Sequence, residues 1–370
     1  MCSSDLNWIL TEDDVLINEE HFYSKLLQEY SSYENIGALA IIGISYQNYR
    51  SEINADNVHA HGSIGLYKKE ILEKIYNFHN GRLPHVLASM NQSYENQINF
   101  GVHLVYYEKD EISIPNISNI TFEKHKAPTN IGVGIGRFNA NEMYSDEDYY
   151  LQIDSHMRFN QDWDKSLINT HMFYEKEGLN PVISAYPSSY DYEGYVAKIH
   201  NEDAKVCYTE FNKKHSFSDN NYIPHQEAVE NIKENIFTKS VSCASIFASG
   251  SISKIKPNKK MFFWGEEIVQ AIRFYTHGYD LVLPEKQNLH HLYNNGENAV
   301  SNLRRNAQGD FPEQSEILNR ISYNELARIV TEKPIGLQEL GSIRTLEQYE
   351  EYAGVDFANK KLKEKPYCLV

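Results

Sequence analysis

The residue pair whose types and spacing most directly suggest chemistry is Asp154 and His156, which directly follow an aromatic and apolar run at 149–153. That run predicts a buried strand, because aromatic and β-branched residues favour strands and the acidic stretch 146–148 marks its start. Side chains two residues apart share a face, and open α/β sheets bind ligands beyond the carboxyl ends of their strands. An oxygen and an imidazole nitrogen there suit Mn²⁺, which can clamp a diphosphate, although a surface Asp and His would show the same pattern.

A second pair, Glu266 and Glu267, opens a predicted helix that ends near Gly278. Two carboxylates at a helix N-terminus can simply complement the helix dipole, or one of them can meet a sugar or acceptor hydroxyl in a cleft. The spacing leaves both interpretations open. Further on, the segment 288–293 contains His290 and His291, and a histidine on a strand there could complete a metal site, although a core or surface histidine is the alternative.

The glycine-rich stretch 132–136 resembles a phosphate-binding loop, since its amides could cradle an anion. It does not follow a clear strand, and it lacks both the spacing of the dinucleotide fingerprint and the Gly-Lys-Ser/Thr of a P-loop. We therefore reject both nucleotide-fold interpretations. Arg137, directly after this stretch, remains a candidate charge for a phosphate.

The elements that must position these residues are predicted strands and helices. They alternate along the chain, which predicts an α/β sheet. A segment with two histidines, 46–64, is interpreted as a long loop in which His59 and His61 are either ligands or polar surface. The chain becomes helical and charged after residue 311, which predicts a main domain at 1–310 and a helical extension at 311–370. The predicted strands are 38–44, 85–89, 101–107, 181–186 and 241–248, and the predicted helices are 12–30, 66–78 and 162–176.

Bulk properties exclude several classes of protein. The 370 residues carry a formal net charge of −16, which argues against nucleic acid or an anionic membrane surface as the main partner. The four cysteines have no Cys-x-x-Cys spacing and are expected to be free thiols. An acidic N-terminus and the lack of a run of about 20 apolar residues predict a soluble, cytoplasmic protein.

These motifs, in this order, resemble one family: the GlcNAc-transferases of the type that modifies hydroxyproline on Skp1. The similarity is dense from about 130 to 300 and returns at 340–357. The matching segments are Arg137, 151–159, 163–164, 181–186, 264–267, 276–280, 291–293, 340–349 and 354–357.

The resemblance implies a GT-A glycosyltransferase fold, in which a Rossmann-like mixed sheet is flanked by helices. It also implies a UDP-sugar donor, GlcNAc transfer to a hydroxyl of a protein acceptor, and retention of the anomeric configuration. The implied divalent metal, Mn²⁺ or Mg²⁺, would be held by Asp154 and His156 with His291 as the third ligand. Such an ion would offset charge that develops on the departing UDP.

Roles for the remaining candidates also follow from the resemblance. Arg158 and Arg137 are expected to steady the diphosphate or the active-site carboxylates. Glu266 and Glu267 are expected to bind hydroxyls of the donor sugar or the acceptor. The acceptor can be a protein hydroxyl, a peptide or a glycan, because the tyrosine-rich segment 186–225 offers aromatic faces that suit all three.

The N-terminal part departs from the family pattern. Ser45 and Tyr46 match the segment that would grip uridine, but the Arg and Asp that usually follow are displaced. Gln92, at the end of 90–92, is a further candidate for the nucleotide-sugar site. This departure keeps a catalytically degenerate, sugar-binding or protein-binding member as an alternative. A metal-dependent hydrolase is less well supported, because the sequence suggests no further His/Asp cluster that would hold two metals.

Overall fold

The computed structural model describes residues 16–17, 41–44, 58–63, 98–106, 120–126, 129–154, 157–193, 196–199, 205–211, 217, 221–231, 235–293 and 311–363. Five helices lie in these ranges: α1 (Val133–Asn141), α2 (Trp163–Lys176), α3 (Glu266–Thr276), α4 (Pro312–Glu332) and α5 (Leu346–Ala353). A 3₁₀ helix spans Gly250–Lys254.

The strands of the same ranges alternate with these helices. They are β1 (Leu16–Ile17), β2 (Ile41–Ile44), β3 (Val58–Ser63), β4 (Phe100–Tyr106), β5 (Ile120–Lys126), β6 (Tyr149–Ile153), β7 (Met157–Phe159), β8 (Pro181–Ile183), β9 (Ser188–Glu193), β10 (Val196–Ile199), β11 (Cys207–Phe211), β12 (Gln226–Glu230), β13 (Ser245–Ser249), β14 (Asp280–Val282), β15 (Leu289–His291), β16 (Val355–Asp356) and β17 (Lys361–Leu362).

Two four-stranded mixed sheets carry the site. The central one has the order β14-β8-β13-β6, with β14 parallel to β8 and β13 antiparallel to both of its neighbours. The other has the order β10-β9-β15-β7, with β15 parallel to β9 and antiparallel to β7. Mixed sheets with flanking helices confirm the predicted α/β class.

The central sheet packs on α3 and on the C-terminal helices through one apolar core. Ile246 from β13 and Ile272 from α3 belong to the same buried cluster as Leu326 from α4 and Tyr349 from α5. The hydroxyl of Tyr349 also donates to the carbonyl of Lys239 over 2.8 Å. The segment after residue 311 therefore shares its core with the sheet, while the domain boundary itself remains a prediction.

Several predicted elements match the described ones. The run at 149–153 is β6, the helix at 162–176 is α2, and the helix that opens at Glu266 is α3. Gly278 follows α3 with a φ of 91°, as expected of a residue that ends a helix in the left-handed region. The predicted helix 66–78 and the strand at 85–89 lie outside the described residues.

Three local predictions were wrong. The segment 46–64 contains the strand Val58–Ser63, because its small residues alternate with its histidines at the period of a strand. The strand Leu16–Ile17, which pairs with β3, falls inside the predicted helix 12–30. The glycine-rich stretch does follow a strand, since β5 ends at Lys126.

The glycines before and within α1 serve close packing. Gly132 has a φ of 117°, and a Cβ on Gly134 would lie 2.3 Å from the carbonyl oxygen of Asn258. The amide of Gly134 donates to the carbonyl of Met261 over 2.8 Å. Backbone contact of this kind leaves no room for a side chain, and it fixes the start of α1 against the segment that precedes α3.

No helix in the described ranges has the length and apolar character to cross a membrane. Of the four cysteines, Cys207 and Cys243 are described, and both are free thiols as predicted.

Candidate functional site

Asp154 lies directly after β6, at the end of the central sheet. Its carboxylate oxygen Oδ2 is 3.1 Å from Nε2 of His291, the last residue of β15. The register explains this proximity: the chain re-enters a strand at Met157, three residues after Asp154, and Met157 pairs with His291. The two described members of the predicted metal set therefore lie together.

Arg137 links Asp154, from the first candidate pair, with Glu266, from the second. From α1, its Nη2 donates to Asp154 Oδ1 over 2.5 Å, and its Nη1 donates to a carboxylate oxygen of Glu266. The Arg137 side chain is only 12% exposed, and that of Asp154 is 27% exposed. Although burial opposes its charge, the two carboxylates raise the pKa of Arg137 well above its usual value. One cation thus holds two anions from different elements.

The two glutamates at the start of α3 are both buried but have different partners. Glu266 is 7% exposed and pairs with Arg137, and burial raises its pKa even though Arg137 acts against that shift. Glu267 accepts a hydrogen bond from the backbone amide of Cys243 over 3.2 Å, and burial raises its pKa to about 7. Glu267 can therefore change its charge near neutral pH, whereas Glu266 is held as one end of an ion pair.

Arg158 is the middle residue of β7, an edge strand of the second sheet, and it is buried. Its Nη1 donates to the carbonyl of Met157 over 2.8 Å, and its guanidinium lies 4.9 Å from the ring centroid of Tyr190. These contacts hold the arginine within the sheet that carries His291. Its expected role at the diphosphate stays a prediction.

The other candidates lie outside the described residues: Ser45, Tyr46, Gln92 and His156. Two described tyrosines also border the site: Tyr186 begins the predicted tyrosine-rich acceptor segment, whereas Tyr293 had no predicted role. Tyr293 stacks on Tyr186 at a centroid distance of 5.7 Å and lies 4.4 Å from the ring of His291. Burial and the nearby Glu267 raise the pKa of Tyr186. The two tyrosines therefore form an aromatic surface beside the carboxylates of Glu267 and Asp154. The signal for this surface in the sequence was Tyr293, two residues after His291.

Comparison with known proteins shows the family of the chain. The family model described as "Glycosyltransferase (GlcNAc)" matches residues 40–359, which is most of the chain. The chain therefore belongs to the GlcNAc glycosyltransferase family, and the predicted family is confirmed. No curated protein matches the sequence.

One similar solved structure is described as "Crystal structure of GalNAc-T7 with UDP, GalNAc and Mn2+". The TM-score is 0.39 at 9% sequence identity. The match covers 75% of this chain and 53% of the other, so the chain spans about half the length of that protein.

Proposed function

We propose that this glycosyltransferase moves GlcNAc from UDP-GlcNAc to a hydroxyl group of a protein acceptor, in a GT-A-type fold, with retention and with a divalent metal. The observation that carries the proposal is the contact of Asp154 with both His291 and Arg137. It joins a mixed oxygen and nitrogen donor pair to a cation that can balance a diphosphate. Glu266 and Glu267 supply hydrogen-bond acceptors at the same place.

The donor atoms fit a divalent ion. Ligands at adjacent positions of an octahedral ion with bonds of about 2.1 Å lie about 3 Å apart. The oxygen of Asp154 and the nitrogen of His291 are 3.1 Å apart. We propose that both bind Mn²⁺, or Mg²⁺, together with His156. When bound, the ion would neutralise charge on the leaving diphosphate.

The residues of the chain have separate tasks in the proposed reaction. The bond between the sugar C1 and the diphosphate oxygen breaks, and C1 bonds to the acceptor oxygen, whose proton is released. Arg137 and Arg158 stabilise the negative charge of the diphosphate, and Glu267 accepts a hydrogen bond from a sugar or acceptor hydroxyl. Tyr186 and Tyr293 present an aromatic face to the sugar, because a ring face suits the apolar C–H surface of a pyranose.

The proposal is tested by measuring UDP release from a panel of UDP-sugars, with Mn²⁺ or with EDTA. We expect slow, metal-dependent hydrolysis of UDP-GlcNAc. Asp154→Ala should abolish the release while the circular dichroism spectrum stays unchanged, and Asp146→Ala, an exposed carboxylate before the same strand, is the matched control. Full activity of Asp154→Ala in EDTA would contradict the mechanism. UDP binding without any turnover by the parent protein would instead support the degenerate, binding-only member.

A further inference from the structure

A second cluster of potential metal ligands lies on β4 and β5, away from the strands that carry Asp154 and His291. The two strands are parallel, His103 pairs with Glu123, and His125 is two residues further along β5. Residues in this register project to one face of the sheet. Ligand atoms of all three side chains lie within 4.8 Å of one another.

This face of the sheet packs against α1. A Cβ on Gly136 would lie 3.2 Å from the ring of His103, and one on Gly101 would lie 2.7 Å from the carbonyl oxygen of Ala140. A sheet face that packs against a helix is normally apolar. The two imidazoles are partly buried there and need polar partners, since uncompensated burial is costly, while the side chain of Glu123 is 40% exposed.

We propose that His103, Glu123 and His125 bind Zn²⁺, with the amide oxygen of Asn139 as the fourth ligand. Asn139 projects from α1, is 8% exposed, and places its terminal amide 3.3 Å from Nδ1 of His103 and 3.4 Å from Nε2 of His125. The oxygen and nitrogen of an asparagine amide exchange places by a half-turn, so the oxygen can face the same two imidazoles. Two imidazoles with a carboxylate are a common donor set for zinc.

The atoms that support a metal-bound histidine are already in place. His103 donates from Nε2 to the backbone carbonyl of Asn130 over 3.0 Å, which leaves Nδ1 to bind the metal. The side-chain amide of Asn130 lies 2.6 Å from Nδ1 of His125, which leaves Nε2 for the same ion. Hydrogen bonds of this kind orient zinc-binding histidines. Asn130 has a φ of 53°, a conformation that brings both its carbonyl and its side chain to the imidazoles.

The alternative to a bound metal is a network of hydrogen bonds among the same side chains. In it, Glu123 accepts from Nε2 of His125 over 2.7 Å, and the amide nitrogens of Asn139 and Asn130 donate to the two Nδ1 atoms. The two arrangements require opposite orientations of both amides. Asn139→Asp separates them, because a carboxylate keeps the metal ligand but removes the only N–H groups of that side chain.

The first test is titration of the full-length Asp154→Ala protein with Zn²⁺, monitored by calorimetry, and with Co²⁺, monitored by visible absorption. The Asp154→Ala background removes the proposed donor-site metal, so the outcome is independent of the proposed function. We expect one Zn²⁺ per chain and a tetrahedral Co²⁺ spectrum. Absence of stoichiometric binding would overturn the proposal.

The second test uses variants in the same background. His103→Ala combined with His125→Ala should abolish stoichiometric binding, whereas His225→Ala, which replaces an exposed histidine, should leave it unchanged. Asn130→Gly preserves the positive φ but removes the side-chain contact, and it should weaken Zn²⁺ affinity about 10- to 100-fold.

Asn139→Asp completes the series and should bind Zn²⁺ at least as tightly as the parent. Weaker binding by Asn139→Asp than by the parent, or unchanged binding by the double alanine variant, would contradict the assignment. Circular dichroism of each metal-free variant shows whether it is folded, so a loss of binding can be separated from a loss of structure.

Discussion

Replacement of Arg137 by Met tests whether one buried cation holds the candidate site together. Arg137 pairs with Glu266, which is almost fully buried, and with the more exposed Asp154. Removal of one partner from a buried ion pair costs about 3–5 kcal/mol, because the remaining charge is uncompensated. The more exposed pair adds about 1 kcal/mol or less. We therefore expect Arg137→Met to lower the free energy of unfolding by about 3–5 kcal/mol, most of it from Glu266.

The pH dependence of that loss has a definite sign. Burial already raises the pKa of Glu266, and Arg137 acts against this shift. In Arg137→Met the folded-state pKa of Glu266 therefore rises further above its unfolded value, and the folded state binds more protons. The stability of the variant must then fall as the pH rises from the unfolded-state pKa of Glu266 to its folded-state pKa. The loss relative to the parent should be larger at pH 8 than at pH 5.

The assay is urea unfolding in EDTA at both pH values, with Arg137→Met, Glu266→Gln and the double variant. The double variant has glutamine in place of the uncompensated carboxylate of Glu266. It should therefore regain most of the lost stability, but it should not regain UDP release. Since the two residues are in contact, their effects should be strongly non-additive, with a coupling larger than half of the loss caused by Arg137→Met. A loss below about 1 kcal/mol that does not change with pH would refute the assignment of Arg137 as the central cation.

Two further predictions concern single carboxylates. Because burial raises the pKa of Glu267 to about 7, the kcat/KM of transfer should rise with pH through about 7, and Glu267→Gln should abolish this inflection; an inflection that persists in the variant would exclude Glu267 as its source. Burial opposes the ionised form of Glu325, but hydrogen bonds from Arg328, Lys260 and Asn258 lower the pKa of this carboxyl from 4.5 to about 2. This shift corresponds to about 3 kcal/mol of stability that is present above pH 4.5 and is lost as the pH falls toward about 2. Glu325→Gln should therefore lower the Tm at pH 7 more than at pH 3, and an equal change in Tm at both pH values would contradict the pairing.

Local patterns were sufficient to predict the elements that deliver individual site residues. The aromatic run before Asp154 is β6, because strand propensity and burial agree over consecutive residues. The helix that begins at Glu266 has an apolar stripe at helical spacing and ends before Gly278. In both cases the determining information lies within about 15 residues, which is the range over which periodicity operates.

Contacts between distant segments could not be obtained in this way. Arg137 and Glu266 are 129 residues apart, and either of them alone has the pattern of an ordinary surface charge. The cluster of His103, Glu123 and His125 depends on the pairing of two strands, and a shift of one residue would place the side chains on opposite faces. The close approach of Gly134 to the segment before α3 is likewise a tertiary contact, and it explains why a glycine-rich stretch resembled a phosphate loop.

Helix α1 connects the two polar clusters. Arg137 and Asn139 are two residues apart, which is a rotation of about 200° around a helix, so their side chains leave it on nearly opposite sides. One side contacts Asp154 and Glu266, and the other contacts His103. Both sides need defined polar partners, so α1 has little freedom to rotate without breaking contacts at one cluster. An ion bound at the β4–β5 cluster would therefore help to fix the orientation of Arg137, although it would not touch the donor.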